Sequence, residues 1–190
     1  MEIDLNQQSK KEQSGTAYNL GDFKILVVED SPFIANLLGS CLMEMGVGSV
    51  IKAGNVRDAK DKILSNNAMT SGQNIDMIIL DWLMPDGTGG DVLKWIRGHK
   101  NASIKFVPVV VCSAYTSTEL VYESRDLGAN EVMVKPVSAE KITQRMLHII
   151  DHPRPYVQAP DFVGPDRRRR TLPFDGEDRR KNKPEVISES

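Results

Sequence analysis

The chain has 190 residues and a mass of 21.1 kDa, enough for one domain with attached segments and too little for two full cores. Its 40% hydrophobic and 26% charged residues support a globular core. Twenty-four Lys and Arg against 26 Asp and Glu leave a net charge of −2, so bulk charge gives no drive toward nucleic acid or an anionic membrane.

The two cysteines, Cys41 and Cys112, sit in apolar runs and make neither a disulfide framework nor a zinc cluster, which fits a reducing, cytoplasmic compartment. The amino-terminal residues are mixed acidic, basic and amide-rich without an apolar signal region. No run reaches the roughly 18 apolar residues of a membrane span, so no membrane association is expected.

In chain order, residues 1–21 read as a flexible polar arm, 22–150 as one folded domain and 151–190 as a Pro/Arg-rich tail. Six of the ten prolines lie in that tail, and neither end has enough apolar surface of its own to offset the entropy of ordering it. Within the domain, Phe23–Val28 is a short β-rich run. Ile34, Leu37, Leu38, Cys41, Leu42 and Met45 then follow at helical spacing, and Gly46 and Gly48 end that helix. Val50–Ala53 is a weaker strand, and Asn55 is placed to cap a helix carrying Val56, Ala59, Ile63 and Leu64.

The alternation continues. Ile75–Leu80 and Phe106–Cys112 are nearly unbroken apolar runs, as strands covered on both faces require. Between them Val92, Leu93, Trp95 and Ile96 mark a third helix. Thr116, with Glu119 three residues on, predicts the cap of a fourth helix reaching about Leu127. Val132–Val134 is a fifth strand, and Ser138 caps a last helix with Ile142, Met146, Ile149 and Ile150 on one face. Strict strand–helix alternation predicts an α/β domain with a parallel sheet and right-handed crossovers, and function in such sheets gathers at the carboxyl ends of the strands.

Those ends carry Glu29-Asp30, Asp81, Ser113 and Lys135-Pro136. If their strands are contiguous, the tips converge on one crevice. Carboxylates crowded there repel by roughly 3–4 kcal/mol per pair at an effective dielectric near 20, so they need a counter-ion or a proton. A few hard oxygen ligands with room for water suit Mg²⁺. Lys135 can bind a carboxylate or an incoming phosphoryl oxygen, and Ser113 can donate to the same oxygen. Together these groups are the equipment for phosphoryl transfer onto Asp81.

Glu29-Asp30, the segment Asp81-Trp82-Leu83-Met84-Pro85-Asp86-Gly87-Thr88-Gly89, Ser113-Ala114-Tyr115, and Gly128-Ala129-Asn130-Glu131 leading to Lys135-Pro136 resemble the receiver domain of bacterial two-component response regulators. The resemblance covers about residues 22–150, with every marker in the right order. It implies a doubly wound flavodoxin-like (βα)5 fold in the order 2-1-3-4-5. It implies Asp81 as phosphoacceptor, with Mg²⁺ held by Glu29, Asp30, Asp81 and the backbone carbonyl of Leu83. Ser113 matches the switch hydroxyl and Lys135 the phosphate-binding lysine, before a Pro typically preceded by a cis peptide. The implied partners are a sensor histidine kinase or phosphotransfer protein as donor and a downstream protein target. Such a protein is not an enzyme acting on a separate substrate, and a homodimer through the fourth helix, fifth strand and fifth helix stays open.

One position departs from the family pattern. Tyr or Phe usually stands two residues after Gly-Ala-Asx, where this chain has Glu131 and then Val132, so the aromatic that normally rotates inward is missing. Leu83 and Tyr115 match positions flanking the phosphoryl group, where polar residues assist the hydrolytic water, so slow self-dephosphorylation is expected. Trp82 and Trp95 read as packing residues, and His99, His148 and His152 as having no metal or catalytic role.

In the tail, Gly164-Pro165-Asp166-Arg167-Arg168-Arg169-Arg170 is followed twelve positions on by Gly176-Glu177-Asp178-Arg179-Arg180-Lys181. Three readings stay open for it: a solvated charged tail, a protein-docking or receiver-masking segment, or nucleic-acid contact through Arg167 to Arg170. For the whole chain, the rival to phosphoacceptor signalling is a pseudo-receiver that is not phosphorylated in use.

Overall fold

The computed structural model describes residues 19–67, 74–114, 117–160, 162–167 and 185–187. β1 (Lys24–Val28) leads into α1 (Pro32–Glu44), which starts on a Ser31 cap with proline in its first turn. Gly46, at φ +88°, stops the chain after α1, as the sequence predicts. β2 (Ser49–Ala53) and α2 (Val56–Asn67) follow, and the Asn55 side chain accepts from Asp58 N at 2.8 Å to cap α2.

β3 (Met77–Asp81) precedes two elements too short to show a period in the sequence, the two-residue strands β4 (Leu83–Met84) and β5 (Gly87–Thr88), which pair antiparallel. Both Asp86 carboxylate oxygens, at the turn between them, accept from Val56 N at the start of α2. α3 (Gly89–Arg97) opens on a capping box made by Thr88 and Asp91. Next come a single turn, α4 (Ala102–Lys105), and then β6 (Val109–Ser113) and α5 (Thr118–Asp126). The cap of α5 is Ser117, whose hydroxyl accepts from Leu120 N at 3.2 Å, one residue beyond the expected Thr116, which lies outside the described residues. β7 (Glu131–Val134) and α6 (Ala139–Asp151), capped by Ser138, complete the alternation.

The main sheet is parallel with strand order β2-β1-β3-β6-β7, which is 2-1-3-4-5 when its own five strands are counted alone. Successive strand residues face opposite sides, so each apolar run feeds two cores. On one face Leu26, Val28, Ile78, Leu80, Val109 and Val111 meet α2 and α3 through Ala59, Ile63, Leu93 and Ile96. On the other, Ile25, Val27, Met77, Ile79, Val110 and Cys112 meet α1 and α6 through Leu38, Leu42, Ile142 and Met146. Each fully buried side chain of this size stabilises by about 1.5–3 kcal/mol, which is why these strands read as unbroken apolar runs.

Two expectations at the chain ends change. Leu20, placed in the flexible arm, is buried in the second core, and its carbonyl accepts from Phe23 N and Gly48 N; residues 1–18 lie outside the description. The tail is not all loose chain. β8 (Tyr156–Ala159), β9 (Phe162–Pro165) and β10 (Glu185–Ile187) form an antiparallel sheet in the order β10-β8-β9, with Tyr156 and Val157 buried. The tail alone lacks apolar surface, as its composition indicates; the domain supplies the other half, with the Phe106 ring edge-on to Tyr156 at 5.2 Å. Arg168 to Arg170 and the second Gly-x-acid-basic run lie outside the described residues.

Candidate functional site

Because β1, β3, β6 and β7 are contiguous, their carboxyl ends bring Glu29, Asp30, Asp81, Ser113 and Lys135 to one edge of the sheet. Glu29 and Asp81 are buried while Asp30 is exposed, and one oxygen from each of the three lies within 4.8 Å of the others. The Lys135 ammonium lies 2.6 Å from Glu29 Oε2 and 3.0 Å from Asp81 Oδ2. Sequence reasoning left its partner open between a carboxylate and a phosphoryl oxygen; here it bridges two carboxylates.

Ser31 N donates to Glu29 Oε1 at 3.3 Å, so the residue that caps α1 also steadies the carboxylate two positions earlier. Ser113 is buried at the end of β6, and its carbonyl accepts from Lys135 N at 2.8 Å, which ties the two strand ends together. Lys135-Pro136 is cis, as the resemblance implies. Leu83, two residues past Asp81, has a half-exposed side chain. Tyr115 lies outside the described residues.

The electrostatics follow from this crowding. Burial raises the Glu29 carboxyl above its ordinary value and Asp81 pushes the same way, while the hydrogen bond from Lys135 pulls it back in part. Burial by itself would lower Lys135, but the bonds to Glu29 and Asp81 outweigh it and hold the ammonium above its usual range. Cys112 is a buried thiol in the second core. It pairs with Asp81 across the β3–β6 ladder, and burial pushes its thiol up to about 12, with Lys135 opposing.

Three hard oxygen donors at this spacing, one of them open to solvent, fit Mg²⁺, a hard cation that keeps several of its waters rather than entering a closed protein cage. Trp82 is buried in the first core, as a packing residue, and His99 accepts from Asn101 N through Nδ1 at 3.0 Å. Val132 is partly buried against the first core, where the family pattern has an aromatic.

A doubly wound sheet in this order is the flavodoxin-like α/β fold, here with a lysine-bridged acidic crevice at its carboxyl edge. The response regulator receiver domain family matches over residues 25–147, and the chain belongs to it. It is 30% identical over 138 residues to the chemotaxis protein CheY of Treponema pallidum, covering 72% of this chain and 89% of that protein. It is 27% identical over 128 residues to CheY of Pseudomonas aeruginosa, covering 67% of this chain and 96% of that one.

Among solved structures, CheY4 of Vibrio cholerae superimposes with a TM-score of 0.59 at 28% identity, over 67% of this chain and 98% of its own. A Borrelia burgdorferi CheY solved in a CheX-CheY-BeF3-Mg²⁺ complex gives a TM-score of 0.59 at 27% identity, over 67% of this chain and 89% of its own. Membership implies phosphorylation-dependent signalling rather than turnover of a separate substrate. Among the described residues, no helix is long and apolar enough to cross a membrane.

Proposed function

We propose that this protein accepts a phosphoryl group on Asp81 from a phosphohistidine of a sensor histidine kinase or phosphotransfer protein and passes the signal on through protein contacts. An Asp81 carboxylate oxygen attacks phosphorus, the N–P bond of the phosphohistidine breaks, and the imidazole leaves with the electron pair. The observation that carries this reading is the Lys135 ammonium held 3.0 Å from Asp81 Oδ2 at the mouth of the acidic cluster. Lys135 is positioned to follow the charge that develops on the phosphoryl oxygens, and the Ser113 hydroxyl to donate to one of them. Glu29, Asp30, Asp81 and the Leu83 carbonyl would hold Mg²⁺, which when bound offsets the charge of the carboxylates and of the arriving phosphoryl group. The free thiols Cys41 and Cys112 fit work in the reducing cytoplasm.

A second reading, a pseudo-receiver that is not phosphorylated in use, is favoured by one observation, the aliphatic Val132 in place of the family aromatic. Nucleic-acid binding by Arg167 to Arg170 has less support, because Arg167 faces Asp126 at 3.4 Å and stacks on Phe162 within its own chain. Incubation with Mg²⁺ and acetyl phosphate followed by intact mass decides the main question. One added phosphoryl group, absent with EDTA and in Asp81→Asn, is the expected result; no adduct on folded, Mg²⁺-binding protein selects the pseudo-receiver.

A further inference from the structure

The β8–β9 hairpin docks at the amino ends of the strands, opposite the acidic crevice, and its contacts centre on a buried guanidinium. Arg97, only 5% exposed, donates through Nε to Gly128 O at 3.0 Å and through Nη1 to Lys105 O and Val107 O at 2.6 and 2.9 Å. Nη2 donates to Asn130 Oδ1 at 3.2 Å and to the Tyr156 hydroxyl at 3.5 Å. A guanidinium has five N–H groups; the domain supplies acceptors for four and the hairpin supplies the fifth. The Tyr156 hydroxyl in turn donates to Asn130 Oδ1 at 3.2 Å, and Arg154 donates to the Asn130 carbonyl.

The Gly-Pro-Asp-Arg segment completes the contact. Gly164 passes so close to Gly128 that a Cβ on it would lie 2.7 Å from Gly128 Cα, and a Cβ on Gly128 would lie 2.5 Å from Val163 O. Asp166 N donates to Pro155 O at 2.8 Å, which extends the pairing past Tyr156 and Pro165, and Arg167 pairs with Asp126 at the end of α5. The described part of the first copy of the tail motif, Gly164 to Arg167, is thus a clasp onto the chain's own domain.

Asn130 immediately precedes β7, and Lys135 immediately follows it. The two residues are roughly 17 Å apart along one extended strand. Both ends of that strand are bonded to β6, through Asn130 N to Val109 O and Lys135 N to Ser113 O, each at 2.8 Å. We propose that the hairpin reports on the crevice: loading Asp81 draws Lys135 toward the new oxygens, shifts β7, and loosens the hairpin at its far end. This rests on the phosphoacceptor reading of Asp81. The direction follows from the glycine contact, which is backbone against backbone with no side chain to give way, so a shift of the Gly128–Asn130 turn costs contact energy that the unloaded state does not incur. By linkage, a released hairpin tightens the crevice on its ligand by the same factor. Val132 removes the ring that follows phosphorylation elsewhere in the family, and the clasp sits where movement of the same strand registers.

The test uses the full chain with Mg²⁺ and beryllofluoride as the acyl-phosphate mimic, read by hydrogen exchange. Expected are greater protection of peptides spanning Asp81 to Met84 and Ser113, and faster exchange in 154–167, with neither change in Asp81→Asn. Crevice protection with unchanged exchange in 154–167 overturns the coupling alone; no crevice response overturns the phosphoacceptor reading and the coupling with it. Gly164→Ala, which forces a Cβ against Gly128, supplies the reciprocal arm. It is expected to speed exchange in 154–167 without ligand and to tighten beryllofluoride binding about fivefold or more, the lower bound of ordinary coupling between sites. Unchanged affinity with the hairpin released refutes the proposal.

Discussion

Lys135 lies closer to Glu29 than to the proposed phosphoacceptor, at 2.6 Å against 3.0 Å, and all three side chains are largely shielded from water. The ammonium therefore acts before any phosphoryl group arrives: it offsets part of the negative charge of the crevice and leaves the rest for a further cation. Lys135→Met leaves two buried carboxylates without their cation. Removing one partner of a buried pair costs about 3 kcal/mol, so a clear loss in denaturant midpoint is expected in metal-free buffer. Saturating Mg²⁺ restores much of it by supplying charge at the same place; a loss indifferent to Mg²⁺ would show that the cation does not share the crevice.

Acid should weaken Mg²⁺ binding earlier than for an ordinary glutamate site. The folded Glu29 carboxyl is held above the ordinary glutamate value of 4.5, chiefly by burial. A raised folded value means that the protonated form favours folding, a contribution complete below 4.5 and lost as pH rises through the folded value. At neutral pH the ionised crevice is thus strained without metal, and Mg²⁺ relieves it. The gain in Tm on adding Mg²⁺ is expected to be larger at pH 7.5 than at pH 5, and thermal melts at the two pH values check it.

Thiol labelling should separate the two cysteines. Cys112 is buried with its thiol pushed up to about 12, whereas Cys41 is partly exposed on α1. Iodoacetamide at pH 8 on native protein is expected to modify Cys41 and spare Cys112, because the thiolate is the reactive form. Peptide mapping reads the result, and comparable labelling of both would contradict the packing of β6.

The Leu83 side chain is half exposed and has no polar atom with which to orient a hydrolytic water. Leu83→Asn is expected to shorten the acyl-phosphate lifetime about fivefold, the worth of one hydrogen bond. Decay of the phosphorylated mass with time measures it. A wild-type lifetime of seconds would remove the premise.

How much of this was legible in the sequence depended on range. β1, β3 and β6 announce themselves because both faces of each strand are buried, and Glu29, Asp30, Asp81, Ser113 and Lys135 fall at strand ends that alternation alone locates. The single turn α4 and the β4–β5 pair are shorter than any period. The α5 cap moved from Thr116 to Ser117 because adjacent hydroxyls compete for the same role and only backbone geometry chooses. The docked hairpin was missed because half of its binding surface belongs to residues some sixty positions earlier, such as Arg97 against Tyr156. One signal was available: Arg97 stands four residues after buried Leu93, on the apolar side of α3, where a charged residue calls for partners.

The arrangement around Arg97 also governs how the protein responds to its ionic surroundings. Its charge is met by neutral carbonyls, an amide oxygen and a phenol rather than by a carboxylate. Dissolved salt weakens attraction between exposed opposite charges and leaves shielded hydrogen bonds to neutral acceptors largely untouched. The peripheral Arg167–Asp126 pair will fade in brine while the centre of the contact holds. The β8–β9 hairpin therefore stays seated across wide swings in ionic strength, and responds instead to the position of the strand beneath it.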